Sequence, residues 1–198
     1  MKVLKALFIV ALAIVATFVL VGLLLPKVAT VERTTTIAAT PDAILELADG
    51  FKRFNEWSPW ASLDPATKYT YSGPERGVGA RMEWSSDNPD VGRGSQEIIA
   101  IEPGRSVTSA LDLGMNTPTT TRMVLSPEGS GTRVTWTLTT DLSSSLVGRY
   151  FGLALDGMVG PDYEKGLAQL KALAEATPTS SQAPSPTGQV TPVPPMPQ

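Results

Sequence analysis

The stretch SSSLVGRYFGLALDGMVGPDYEKGLAQLKALAEA, from Ser143 to Ala176, decides the fold. Its apolar residues fall in two sets: Val147, Phe151, Leu155 and Met158, then Tyr163, Leu167, Leu170 and Leu173. Steps of three and four place each set along one side of a helix, as a stripe for burial. Gly157 and Gly160-Pro161 break the run. Pro161 suits a first helical turn, and Asp162 then sits at the positive end of the helix dipole. The spacing predicts a short helix to about Gly157, a kink, and a longer helix from Pro161 to about Glu175. No other helical pattern of that length occurs outside the amino-terminal apolar run.

Upstream, residues 67 to 140 read as strands, and strands need a layer to cover one face. Tyr69 and Tyr71 share a face of the first. Met82 and Trp84 alternate with Arg81 and Glu83 in the next. The run from Ser95 to Ile101 is apolar on both faces around Ile98 and Ile99, so alternation leaves its register open. Val107, Leu111 and Leu113 fall together, as do Thr121, Met123 and Leu125. Val134, Trp136 and Leu138 oppose Arg133, Thr135, Thr137 and Thr139. One apolar face and one threonine- and arginine-rich face predict an antiparallel sheet, wet on one side. The closing helix is its cover.

Before these strands, VERTTTIAA from Val31 to Ala39 is β-branched and reads as a first strand. Thr40, Pro41 and Asp42 form a helix start, with Ile44 and Leu47 on one side and Gly50 at the end. The aromatic run that follows holds Phe54, Trp57 and Trp60. These rings either plug one end of the core or, for the two Trp, line a pocket mouth with their N–H tips.

Lys2 and Lys5 precede an uncharged run, Ala6 to Leu25. About 20 residues at about 1.5 Å each match the ~30 Å hydrocarbon thickness of a bilayer. A cleaved signal peptide has a shorter apolar core and small residues before the cut; here Lys27 stands at −3 from Ala29. The expectation is an uncleaved single-pass anchor. Basic residues lie on both sides, with a slight excess at the amino end, which favours an extracytoplasmic domain. At the other end, residues 177–198 are rich in Pro, Ser and Thr and short of large apolar side chains, the composition of a disordered tail. Three parts follow: an anchor over 1–30, a domain over 31–176 and a tail over 177–198.

The 198 residues carry a net charge of −3 and contain no Cys and no His. An acidic balance without basic clusters argues against a nucleic-acid partner. Without Cys or His there is no disulfide, no thiolate and none of the usual zinc ligands or neutral-pH bases. Neither a metal nor a cofactor is expected.

The order of strand, short helices, antiparallel strands and long closing helix resembles the helix-grip fold of the START/Bet v 1-like (SRPBCC) superfamily. Glu56-Trp57-Ser58-Pro59-Trp60, Tyr69 to Pro74, Gly77 to Ala80, Trp84, Gly131 to Trp136, Gly148 to Gly152 and Gly160-Pro161-Asp162 resemble bacterial polyketide cyclase/dehydrase-type members. Several of these similarly carry one amino-terminal membrane segment. The resemblance implies an α+β helix-grip domain with a cavity between sheet and helix that takes a hydrophobic small molecule. It also implies that Gln96 and Ile98 face inward and Glu97 outward.

On this reading Trp57, Trp60, Met82, Trp84, Gln96, Met123, Trp136, Tyr150, Phe151 and Met158 are the candidate ligand-binding residues. No catalytic residue is assigned, because Glu83 and Asp112 alternate with inward positions and so point to water. A filled core without a cavity is the competing expectation. Three function classes stay open: a tethered carrier or binder, a cyclase or lyase needing an inward ionisable group, and an envelope interaction protein without a ligand.

Overall fold

The computed structural model describes residues 2–115 and 117–176; the expected tail lies outside them. The elements run α1 (Lys2–Leu24), β1 (Val28–Ile37), α2 (Pro41–Ala48), one 3-10 turn (Phe54–Glu56), β2 (Lys68–Ser72) and β3 (Arg81–Ser85). They continue with β4 (Arg93–Glu102), β5 (Ser106–Asp112), β6 (Thr119–Glu128), β7 (Gly131–Asp141), α3 (Leu146–Gly152) and α4 (Leu155–Ala176). All seven strands form one antiparallel sheet in the order β1-β7-β6-β5-β4-β3-β2. The architecture is the α+β helix grip: a curved open sheet, a closing helix and one apolar amino-terminal helix.

Sheet and helix meet through the expected phases. Val134, Trp136 and Leu138 of β7 and Met123 and Leu125 of β6 are buried against Tyr163, Leu167, Leu170 and Ala174 of α4. The opposite face is threonine-rich and wet, with Thr34 and Thr135 hydroxyls 3.0 Å apart. Thr40 caps α2 by accepting from the Ala43 amide, and Pro41 follows at its start. The strand β1 begins at Val28, three residues before the β-branched run that announced it.

The ambiguous strand resolves through a bulge. Ile98 pairs with Ser109 and Ala100 with Thr108, which leaves Ile99 as the extra residue, pointing outward. Before the bulge Gln96 and Ile98 face in, and after it Ile101 does. One inserted residue reverses the alternation, so the strand reads as apolar on both faces.

The helical expectation needs two corrections. Pro161 does not start the long helix: α4 begins at Leu155 and runs through the proline. The bond lost there would have reached the carbonyl of Gly157, an exposed residue, so the acceptor left without that bond lies at the surface and not in the core. Of the first apolar set only Leu155 packs against the core. Val147, Phe151 and Met158 are 54%, 67% and 65% exposed, while Arg149 is buried. Spacing identifies a face without saying what that face meets.

Candidate functional site: an apolar cavity under the gripped helix

Between α4 and the sheet lies a cavity of about 300 Å³. The sheet supplies Met82, Gln96, Thr121, Trp136 and Leu138, and α4 supplies Val159 and Tyr163. Phe54, Ser58 and Trp60 close one side, and Trp84, Leu111 and Tyr69 the other. Asp90 and Leu113, both exposed, mark where it meets solvent.

Three contacts hold the walls. The Trp136 and Tyr163 rings stack with centroids 3.8 Å apart and planes at 11°. Trp136 Nε1 donates to Thr121 Oγ1 at 3.1 Å, so the indole is tied to the next strand as well as to the helix. Trp84 lies on Gly94, where a Cβ would come within 2.4 Å of its ring, and donates through Nε1 to the Val91 carbonyl at 3.2 Å. The bare glycine is what lets that ring lie flat.

The polar content of the lining is small. The side chain of Gln96 is buried, borders the cavity and has no hydrogen-bond partner for its carboxamide among the described residues. Ser58 is buried at the same cavity with its hydroxyl similarly free. Burial pushes the Tyr163 phenol well above its ordinary range, with Thr121 acting the other way, and burial also raises Tyr69. Both phenols therefore stay protonated at neutral pH and offer hydrogen bonds, not a base.

Of the ten candidate residues, the fold brings Trp60, Met82, Trp84, Gln96 and Trp136 together at this cavity. Trp57 and Met123 lie just behind it in packed core, around a space of only about 20 Å³. Trp57 is turned away because its Nε1 donates to the Leu47 carbonyl at 2.9 Å. Tyr150, Phe151 and Met158 do not line it. Tyr150 stacks on Phe18 of α1, Phe151 is exposed on α3, which lies beside α1, and Met158 is exposed in the first turn of α4.

The cavity residues beyond the candidate set include Leu111, Thr121, Leu138, Val159 and Tyr163. The first three share the inward phase of the strands and were legible in principle; Val159 depends on where α4 turns. Apart from Asp90 at the mouth, no carboxylate among the described residues borders the cavity. Glu83 and Glu97 pair with Arg81 at 3.0 and 3.3 Å on the wet face, and Asp112 accepts from the Gly114 amide. Among the described residues no cluster of three or more carboxylates could hold a metal ion. A second recess, around Asp64, Lys68 and Asp87, is polar and lies outside the grip.

Residues 28–175 match the family model described as polyketide cyclase/dehydrase and lipid transport. The chain belongs to that family. No curated protein matches its sequence. Solved structures share the fold. Norcoclaurine synthase from Thalictrum flavum, in complex with dopamine and hydroxybenzaldehyde, is 13% identical with a TM-score of 0.56, over 77% of this chain and 90% of that one. A protein of Nitrosospira multiformis is 22% identical with a TM-score of 0.52, over 72% and 94%. One of Mesorhizobium loti is 17% identical with a TM-score of 0.53, over 75% and 98%. At these identities the likeness concerns the fold alone.

Proposed function

We propose that this family member binds a small apolar molecule in the cavity under α4, from a position tethered to a membrane by α1. The observation that carries the reading is a largely apolar hollow of about 300 Å³ with the Gln96 carboxamide on its wall, within reach of whatever fills it. A ligand carrying one hydrogen-bonding group would pair with that carboxamide. An engineered apolar cavity of about 150 Å³ holds benzene, so this volume suits one or two rings or a short acyl chain.

Tethering rests on α1, which is long and apolar enough to cross a bilayer, with a mean hydropathy of 3.0. The domain would then lie on the extracytoplasmic side, as a carrier or sensor of its ligand. Native mass spectrometry of gently purified full-length protein tests the binding reading, since a co-purified apolar molecule of matching size is expected. Retention in membranes through an alkaline carbonate wash, with protease reaching the domain only from outside, tests the tether and its orientation. A soluble protein processed near Thr30 would contradict it.

A further inference from the structure

The short helix α3 is inside out for a surface helix in water. It buries its charge, Arg149, at 7% exposure, and presents Val147 and Phe151 outward. The residues that follow are exposed as well: Leu153 at 64% and Met158, in the first turn of α4, at 65%. So many large apolar side chains exposed within so short a stretch mark an interaction site.

What covers that surface follows from what α3 is fastened to. Tyr150 stacks on Phe18 of α1, with centroids 4.4 Å apart and planes at 8°, and its hydroxyl donates to the Phe18 carbonyl at 2.5 Å. Gly22 of α1 gives α3 its seat, since a Cβ there would come within 2.9 Å of Leu146 and 3.0 Å of Tyr150. Arg149 Nη1 donates to the Gly22 carbonyl at 3.2 Å. That carbonyl is one of the last four of α1, which have no partner inside the helix, and the cation also meets the negative end of the helix dipole. The same guanidinium donates to the carbonyls of Leu142 and Ser143. So the one charge on α3 is spent inside the protein, and its outer face carries none of it.

The depth is then set by α1. Phe18 lies six residues before Leu24, about 9 Å along the axis at about 1.5 Å per residue. A helix docked at that level lies within the ~5–10 Å to which in-plane amphipathic helices sink into the boundary between headgroups and acyl chains. We infer that α3 and the first turn of α4 seat in the outer leaflet of the bilayer beside α1, with Val147, Phe151, Leu153 and Met158 in contact with acyl chains. This rests on the reading of α1 as a membrane span. It also gives the cavity a lipid-side neighbour: Met158 faces the bilayer, and Val159, the next residue, lines the cavity. An apolar ligand dissolved in the membrane would start one residue from its site.

The chain has no Cys, so single cysteines can be labelled cleanly. Phe151→Cys, Met158→Cys, Val10→Cys in α1 and the exposed Val78→Cys would each carry an environment-sensitive fluorophore. The full-length protein would sit in vesicles of phosphatidylcholine and phosphatidylglycerol. Quenching would be compared between lipids spin-labelled near the headgroup, lipids spin-labelled at the chain end, and aqueous iodide. The labels at 151 and 158 should lose most of their emission to the shallow lipid quencher and little to iodide. The label at 10 should respond to the deep quencher, and that at 78 to iodide alone. If the label at 10 is lipid-quenched while those at 151 and 158 respond to iodide like 78, the span stands and the seat is wrong. If 151 and 158 are shielded from lipid and iodide alike, a protein covers the surface and the inference fails. If the label at 10 itself responds to iodide, the span reading falls and takes the seat with it.

Discussion

Tyr163 lies flat against Trp136, ring centroids 3.8 Å apart, and this pair joins the closing helix to the centre of the sheet. It also forms part of the cavity wall, so the same contact serves stability and site shape. Trp57 and Trp60 each meet Trp136 edge-on, at 5.3 and 6.2 Å, and extend the cluster into the loop after α2.

Removing the centre of that cluster should be costly. Trp136→Ala deletes a side chain only 3% exposed and leaves Tyr163 without its stacking partner. A loss of about 3–5 kcal/mol is expected, from a total of typically about 5–15. Thr137→Ala, on the wet face, should change stability by about 0.5 kcal/mol or less. Denaturant unfolding in mild detergent measures both. Comparable losses at the two positions would mean the strand faces the other way.

Two helical glycines should respond in opposite directions. A Cβ on Gly166 would come within 2.9 Å of the Trp136 ring and 3.1 Å of Pro59. Both neighbours are buried and cannot give way freely, so overpacking of about 1–3 kcal/mol outweighs the roughly 1 kcal/mol that Ala offers a helix. Gly157 has nothing within 4 Å of a Cβ, so Gly157→Ala should keep most of that helix gain. Melting temperatures should fall for the first variant and rise for the second. A rise for Gly166→Ala would show that the ring and Pro59 can move.

Tyr163 sets an alkaline limit. Burial raises its folded pKa, so the folded state keeps a proton that the unfolded chain gives up above about pH 10. The unfolded state then binds fewer protons, and stability falls as pH rises beyond that point, while below it this group leaves stability independent of pH. The chain has four tyrosines. In an absorbance titration, the tyrosinate of Tyr163 should appear only together with unfolding, and Tyr163→Phe should make the alkaline loss less steep. Smooth ionisation of all four in the folded protein would contradict the burial.

Much of the fold was legible because alternation and capping are local signals. The phases of β3, β6 and β7 and the Thr40 cap all follow from a few neighbouring residues, whereas the inward turn of Gln96 followed only from the family resemblance. What was hidden depends on partners far away in sequence. The Ile99 bulge looks like a second apolar face until Ser109 and Thr108 are paired across from it. Val147, Phe151 and Met158 have core spacing, yet α3 is pulled to α1 by Gly22, Phe18 and Arg149, so that face turns outward. The site was half legible for the same reason: strand phase marks Met82 and Trp136, while Ser58 and Val159 are placed by loop and helix geometry without a periodic trace.

The central claim is that the cavity takes a ligand, and displacement of its empty volume tests that most directly. An environment-sensitive apolar probe would be titrated into the full-length protein in mild detergent, with Val159→Trp and Gln96→Leu alongside. Burial of about 300 Å² of probe at about 25 cal/mol per Å² gives roughly 7 kcal/mol before association costs, which sets affinity in the micromolar range or weaker. With no histidine to titrate, that affinity should be flat between pH 6 and 8. The account predicts saturable binding by wild type, its loss in Val159→Trp where the indole occupies the space, and altered preference for hydrogen-bonding probes in Gln96→Leu. Absence of saturable binding by the folded protein, or undiminished binding by Val159→Trp, would contradict it.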